Sequence, residues 1–471
     1  MSDLLAARWQ MAISLGFHII FAAIGIGLPF LMVISEGLWL RTKDDVYLRI
    51  TKAWAKGAAI FFAVGAVSGT VLSFELGLLW PTFMEHAGPL VGMPFSLEGF
   101  AFFTEAIFLG IYLYGWNHVS RGAHWLAGVV IAVSGAASAL FVIAVNGWMN
   151  APTGFRLDSA GRFVDIDPVA AMVNAFWLPN TLHMLIAAYL ATAFAAATIH
   201  AWGLLRDPGN LFHRRALDLA LVVGVVAAIA QPISGDVNAR RLHELQPIKL
   251  AAMEGQFVTE RCAPLRIGGF PRPEEGRTAF ALEIPCGLSL LAAHDPQAEI
   301  LGLNDVPEDE RPPVEVVHVA FQVMVAIGFF LMALGLWAMW LRWKRRDLAG
   351  ERLFLWLLVP AGPLAFIAIE AGWTVTEVGR QPWIIYEVMR VEDAVTPMPG
   401  LVVPLTVFTL LYLLLAFLVA YLFRRQIREA TAPYASRPAP GRAEAGTGAP
   451  AGGREGEAGT GAPAGGREVK P

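Results

Sequence analysis

The stretch Phe354–Trp383, FLWLLVPAGPLAFIAIEAGWTVTEVGRQPW, decides the reading of the chain. Its first part, Phe354–Ala371, is apolar enough and long enough to cross a bilayer as a helix. Where that run gives out, Glu370, Trp373, Glu377 and Arg380 follow at intervals of three to four residues. On a helix this spacing sets all four on one broad face. Two acids and an arginine at a membrane boundary are costly unless they bind something. The plainer reading is a helix end at the water interface, with Gly379–Pro382 as its stop.

The rest of the chain favours a membrane setting. Of 471 residues, 56% are hydrophobic and only 16% charged. The fold class expected is all-α, a polytopic membrane bundle. Nine spans are predicted, at about 10–35, 57–80, 97–117, 125–149, 174–203, 216–234, 317–341, 353–377 and 401–424. Met11–Ile34 lacks a small-residue cleavage site and reads as a retained anchor. Basic residues follow the odd-numbered spans: Arg41, Lys43, Arg49, Lys52 and Lys56, then Arg121, then Arg206, Arg214 and Arg215, then Arg342–Arg346, then Arg424, Arg425 and Arg428. Pro81–Ser96, after span two, has no Lys or Arg. The positive-inside rule therefore puts the N-terminus outside and the C-terminus in the cytoplasm. The net charge of −4 carries no basic bias, so nucleic acid is not an expected partner.

Four segments are expected: 1–233 with spans one to six, a periplasmic loop at 234–316, spans seven to nine within 317–430, and a cytoplasmic tail at 431–471. The loop is long enough to be functional or disordered. It holds both cysteines, Cys262 and Cys286, which can pair if the loop faces outside. In the tail, EAGTGAPAGGRE at Glu444–Glu455 recurs unchanged at Glu457–Glu468, a low-complexity sequence with too little apolar content to fold.

Several polar groups fall inside the spans. His18 lies about nine residues into span one, roughly 13 Å deep, and His183 lies at similar depth in span five. Met324, about eight residues into span seven, is level with His183. A His/Met pair at matched depth suits a six-coordinate, electron-transferring haem. Taken singly, such a His more often bonds a neighbouring helix, and such a Met is more often apolar filler. Span three carries Glu98 and Glu105 two turns apart in LEGFAFFTEAIF. Intramembrane carboxylates default to proton paths, ion paths or ligation. Ser138, Asn146 and Asn150 on span four extend a polar track, or bond between helices. Glu75 lies near the outer end of span two, where an acid could snorkel.

With those residues in view, GWTVTEVGRQPW, the Glu98–Glu105 motif, VNGWMN, the helix around His183 and QPIKLAAMEG in the loop resemble subunit I of the cytochrome bd-type quinol oxidases. The resemblance runs from about Arg8 to Phe423, and the wording of spans two and three, with the short loop, looks most like the cyanide-insensitive branch. It implies oxidation of quinol by dioxygen, which is reduced to water. It implies two haem b and one haem d, the third being b-type in some cyanide-insensitive relatives. His183 and Met324 match the axial ligands of the low-spin haem b. His18 and Glu377 match the ligands of the two high-spin haems, undivided between them. Glu98 matches an acid beside the oxygen-reducing haem, and Glu105 one on the proton path from the cytoplasm. Lys249 and Glu254 match loop positions associated with quinol, and Trp373 and Arg380 residues that line the haems. A second membrane subunit, with small accessory subunits in some relatives, is implied as partner, in the bacterial inner membrane.

The chain also departs from the family pattern. Span two reads SFELG where many relatives read EFQFG, and Gln322 stands where many have Arg. Two other classes explain part of the pattern. An acid-relay transporter accounts for Glu98, Glu105 and the loop, but not for His183 level with Met324, and no inverted repeat is visible. An electron-transfer cytochrome b without an oxygen site leaves His18 and Glu377 idle.

Overall fold

The computed structural model describes residues 1–431. The predicted low-complexity tail lies outside the described residues, except for Thr431, which closes the last helix. Among the described residues nine helices are long and apolar enough to cross a membrane. They are span one, Asp3–Thr42; span two, Asp45–Leu79; span three, Pro81–Tyr114; span four, Arg121–Asn150; and span five, Trp177–Arg206. Span six is Leu211–Leu245, span seven Val314–Trp343, span eight Arg352–Val378 and span nine Val402–Thr431. Side chains of Ser2, Asp44, Ser120 and Asn210 accept from backbone N–H groups at the starts of spans one, two, four and six. Each such cap is worth about 1 kcal/mol.

Span six runs past the expected end near residue 234. Hydropathy marks where the bilayer stops, and the polar continuation GDVNARRLHEL is rich in good helix formers. Span one is central, packing on spans two, four and five. At Gly27 it comes so close to span five that a Cβ would collide with Thr192 Oγ1. Thr192 Oγ1 donates to the Ala23 carbonyl at 3.2 Å, so the two helices meet with no room for a larger residue. Span eight contains Pro360 and Pro363. There Thr198 Oγ1 of span five donates to the Leu358 carbonyl at 2.7 Å and accepts from Gly362 N at 2.9 Å. A neighbouring hydroxyl thus takes up backbone groups in the proline-broken turn. Spans three and nine turn Phe100, Phe103, Ile107, Val403, Val407, Leu410 and Phe417 outward, as suits lipid or a partner chain.

The segment between spans six and seven is ordered. A short helix, Pro247–Glu254, comes first. Antiparallel pairs follow: Glu260–Arg261 with Glu299–Ile300, Leu265–Ile267 with Leu282–Ile284, and Phe270–Arg272 with Arg277–Ala279. Cys262 and Cys286 are joined in a disulfide. Span seven holds this segment down: Gln322 accepts from Gly268 N at 2.9 Å and donates to the Arg266 carbonyl at 3.1 Å. Gln322, where an arginine is common in the resembling family, is therefore used here as a clamp on the loop.

Candidate functional site: two serine-backed histidines and a buried polar junction

His18 and His183 sit in the same local arrangement. His18 Nδ1 lies 2.9 Å from Ser68 Oγ of span two, and that hydroxyl donates to the Val64 carbonyl at 3.0 Å. His183 Nδ1 lies 2.9 Å from Ser234 Oγ of span six, and that hydroxyl donates to the Gln231 carbonyl at 2.8 Å. Each serine has spent its only proton on a backbone carbonyl, so its oxygen accepts from the imidazole. The hydrogen-bond network therefore assigns the proton to Nδ1 in both rings and leaves Nε2 with a lone pair. That is the tautomer an Nε2 metal ligand needs, with the other nitrogen held by an outer partner. Gln231 Nε2 donates to His183 Nε2 at 3.1 Å.

Met324 of span seven packs on span eight. A Cβ at Gly372 would lie 2.9 Å from the Met324 sulfur, so only glycine there lets the thioether approach span eight. On the same helix, Glu370 and Trp373 face span one at Gly16, with Glu370 Oε2 3.3 Å and the Trp373 ring 3.9 Å from a Cβ built there. Glu370 Oε1 is buried and makes no hydrogen bond among the described residues. The spacing read from the sequence thus does set Glu370 and Trp373 on a shared, inward face.

Glu377 and Arg380 belong to a different junction. Asn146 Nδ2 donates to Glu377 Oε1 at 2.6 Å and Arg380 Nη2 to Glu377 Oε2 at 2.6 Å. The Arg380 side chain is only 2% exposed. The short helix of the loop enters from the other side. Lys249 Nζ donates to Asn150 Oδ1 and to the Thr376 carbonyl, the latter at 3.1 Å. Gln246 Nε2 donates to the Asn150 carbonyl at 2.9 Å. Burial, and then the Arg380 guanidinium, push the Lys249 ammonium well below the usual lysine range, while Glu377 opposes them. A cavity of about 820 Å³ opens beside Asn150, lined also by Asn174, Leu245, Tyr386 and Val388. Both Glu377 oxygens are engaged, so an iron at this carboxylate would have to displace Asn146 or Arg380. The other three candidate ligands have no such competitor from a charged group.

Glu254 is not part of that junction. It lies at the end of the short helix, 6% exposed, with Oε2 unpartnered among the described residues. Burial pushes its carboxyl up to about 8, against the opposing charge of Arg266. The two loop residues singled out by the sequence therefore face separate surroundings. Glu98 Oε1 accepts from Ser138 Oγ at 3.3 Å. Ser138 of the expected polar track thus serves Glu98. Glu105 is 7% exposed. It points into the contact of spans one and four, its carboxyl oxygens 4.0 and 3.4 Å from Cβ positions at Gly25 and Gly135. Glu75 does not snorkel: it is 1% exposed and accepts from Gln10 Nε2 at 3.0 Å. The sequence showed Glu75 but not Gln10, Ser14 or Tyr412 around it, because a partner on a distant helix leaves no local spacing signal. Among the described residues no three His, Cys, Asp or Glu side chains converge as a cage for a bare metal ion.

The family profile for cytochrome bd terminal oxidase subunit I matches residues 6–431. This chain belongs to that family. Within it, a Bacillus subtilis (strain 168) chain named provisionally as a cytochrome bd menaquinol oxidase subunit I is 37% identical over 437 residues, covering 91% of this chain and 97% of its own length. Cytochrome bd ubiquinol oxidase subunit 1 of the same organism is 30% identical, covering 91% and 94%. Among solved structures, the bd oxidase from Geobacillus thermodenitrificans superposes with a TM-score of 0.86 at 41% identity, over 91% of this chain and 99% of that one. The chain is accordingly the subunit I of a terminal respiratory oxidase, a quinol oxidase spanning a bacterial membrane several times and working with a second subunit. The transporter and the simple electron-transfer cytochrome are not favoured.

Proposed function

We propose that this bd oxidase subunit binds three haems in the outer half of the membrane, two of them haem b and the third haem d or b. His183 and Met324 hold the low-spin haem b, and His18 and Glu377 hold the two high-spin haems. The observation that carries this reading is the shared serine backing of His18 and His183, which fixes a ligating tautomer twice on unrelated helix pairs. Bound haem supplies the one-electron steps and the iron at which oxygen binds. Trp373 and Arg380 line the haems, and the Arg380 guanidinium supplies fixed positive charge near them.

The loop side is the periplasmic side by the positive-inside rule. Lys249 and Glu254, on the short helix of the loop, receive quinol there. Glu254, with its carboxyl raised to about 8, switches protonation near neutral pH and can take a quinol proton. Quinol oxidised outside and protons drawn from the cytoplasm together move charge across the membrane without a pump, worth about 2.3 kcal/mol per charge per 100 mV. Glu98, with Ser138, stands beside the oxygen-binding haem, and Glu105 hands on protons arriving from the cytoplasm. Accessory subunits and the cyanide-insensitive character belong to the same proposal. A reduced-minus-oxidised spectrum of the purified two-subunit complex tests the haem set. Low-spin haem together with CO-binding high-spin haem is expected; low-spin haem alone would refute the oxygen site in this chain.

A further inference from the structure

Gln10 and Ser14 of span one, Glu75 of span two and Tyr412 of span nine meet in one place. They are 2%, 0%, 1% and 3% exposed. Gln10 Nε2 donates to Glu75 Oε1 at 3.0 Å. The Ser14 hydroxyl lies beside both Glu75 and Tyr412. Four buried oxygens are left over: Gln10 Oε1, Ser14 Oγ, Glu75 Oε2 and the Tyr412 hydroxyl, none with a partner among the described residues. Native interiors pair nearly all such groups, and a knot of four on three helices calls for a bound species.

The donor count identifies it. Ser14 and Tyr412 each have a proton to give, and Gln10 Oε1 and Glu75 Oε2 each have a lone pair to fill. With Glu75 ionised, one water accepts from the two hydroxyls and donates to the two oxygens, so all four are satisfied. Outward of the four, Ala6 and Ala7 of span one, Leu79 and Trp80 after Glu75, and Leu401 and Leu405 before Tyr412 form a buried apolar layer. The site is closed towards the loop side. Inward it is polar: Ser14 is one turn from His18, and Ser68, which backs His18, is two turns from Glu75 on span two. Farther along the same face of span one, Gly25 touches Glu105. His18 thus stands between two buried acids, Glu105 on the basic side and Glu75 on the loop side.

We propose that Gln10, Ser14, Glu75 and Tyr412 form an internal hydrated proton-holding site, sealed from the outer face and joined inward to the His18 site. It rests on the reading of His18 as a haem ligand for its role, but not for its existence. In the resting site Glu75 Oε2 holds a proton and donates to the water in place of the Ser14 hydroxyl; on release Glu75 gives that proton to the water, which passes one of its own inward while Ser14 turns back to it, and the reverse transfer restores the acid. A protonated Glu75 is neutral and its loss of a proton leaves a carboxylate, so the site compensates charge that changes at His18 while the apolar layer blocks short-circuit to the outside.

Infrared hydrogen–deuterium exchange on the resting two-subunit holoenzyme tests this without turnover. The Glu75 carboxyl band is assigned by its loss in Glu75→Gln, a substitution that keeps size and hydrogen bonding. The expected result is a protonated-carboxyl band that shifts in D2O, with exchange slowed about tenfold or more in Ser14→Ala/Tyr412→Phe while the Glu105 band exchanges as before. An absent band, or exchange unchanged in the double variant, overturns the proposal. So does a high-resolution map in which the four groups contact a haem propionate, or a cation at roughly 2.3–2.6 Å, in place of a water at roughly 2.7–3.0 Å. Failure of the haem assignment would appear separately, as an unchanged haem spectrum in a His18 variant.

Discussion

The two histidine sites and the Glu377–Lys249 junction are built in opposite ways. Each histidine is set by a single serine that has already given its proton to its own helix. At His183, Gln231 Nε2 also donates to Nε2, and it has to turn aside before that nitrogen is available. Glu377, by contrast, is shared between Asn146 and Arg380, and its surroundings extend through Asn150 to Lys249 on the loop. The difference teaches that a buried histidine can be oriented locally, whereas an acid in this membrane protein takes its properties from a network spanning several helices. A single-residue change at a histidine site should therefore have a sharp and local effect, and a change at an acid site a graded and distributed one.

The largest expected effect is at His18. His18→Ala should lose a high-spin haem and reduce oxygen uptake by about a hundredfold or more, leaving the low-spin spectrum in place. Retention of every haem would break the contrast, since the serine-backed tautomer would then be merely structural. Next is Glu105→Gln, which keeps shape and hydrogen bonding but removes the exchangeable proton. All haems should remain, and turnover should fall about tenfold, a barrier rise of about 1.4 kcal/mol. Stopped-flow reduction of the haems by quinol should stay fast; loss of a haem would show that Glu105 ligates or supports one.

A smaller effect is expected from Glu254. Its carboxyl is raised by burial from 4.5 to about 8. The folded loop then holds a proton that the unfolded chain releases between those values, so stability is full below about 4.5 and is lost as pH rises through about 8. Resistance of the loop to protease should decline over that window, and Glu254→Gln should flatten the decline. An identical pH profile in the variant would remove Glu254 from the account. The smallest effect belongs to Ser234→Ala. His183 would keep its position but lose the acceptor that fixes its tautomer, with a severalfold weakening of haem retention measured by dilution. A change as large as that of losing His183 itself would mean the serine does more than orient the ring.

Much of this was legible in the sequence. Nine apolar runs correspond to nine spans among the described residues, since a bilayer imposes length and hydropathy directly. The GWTVTEVGRQPW spacing correctly set Glu370 and Trp373 on one face, because helix geometry is local. Where span six ends was not legible, as Ala, Arg, Leu and Glu continue a helix beyond the lipid. Nor were the pairings Ser68–His18, Ser234–His183, Ser138–Glu98 and Gln10–Glu75, each of which crosses between helices. The fate of Glu75 was misread for the same reason: a single acid near a span end reads as snorkelling until the opposing glutamine is placed.

The central claim is that His183 and Met324 hold the low-spin haem from two different spans. The optical spectrum of the dithionite-reduced Met324→Leu holoenzyme tests it most directly. Leucine fills the space beside Gly372 but offers no lone pair, so the fold and haem content should persist while the low-spin α-band is replaced by a high-spin, CO-binding spectrum. An unchanged low-spin α-band in that variant would contradict the account.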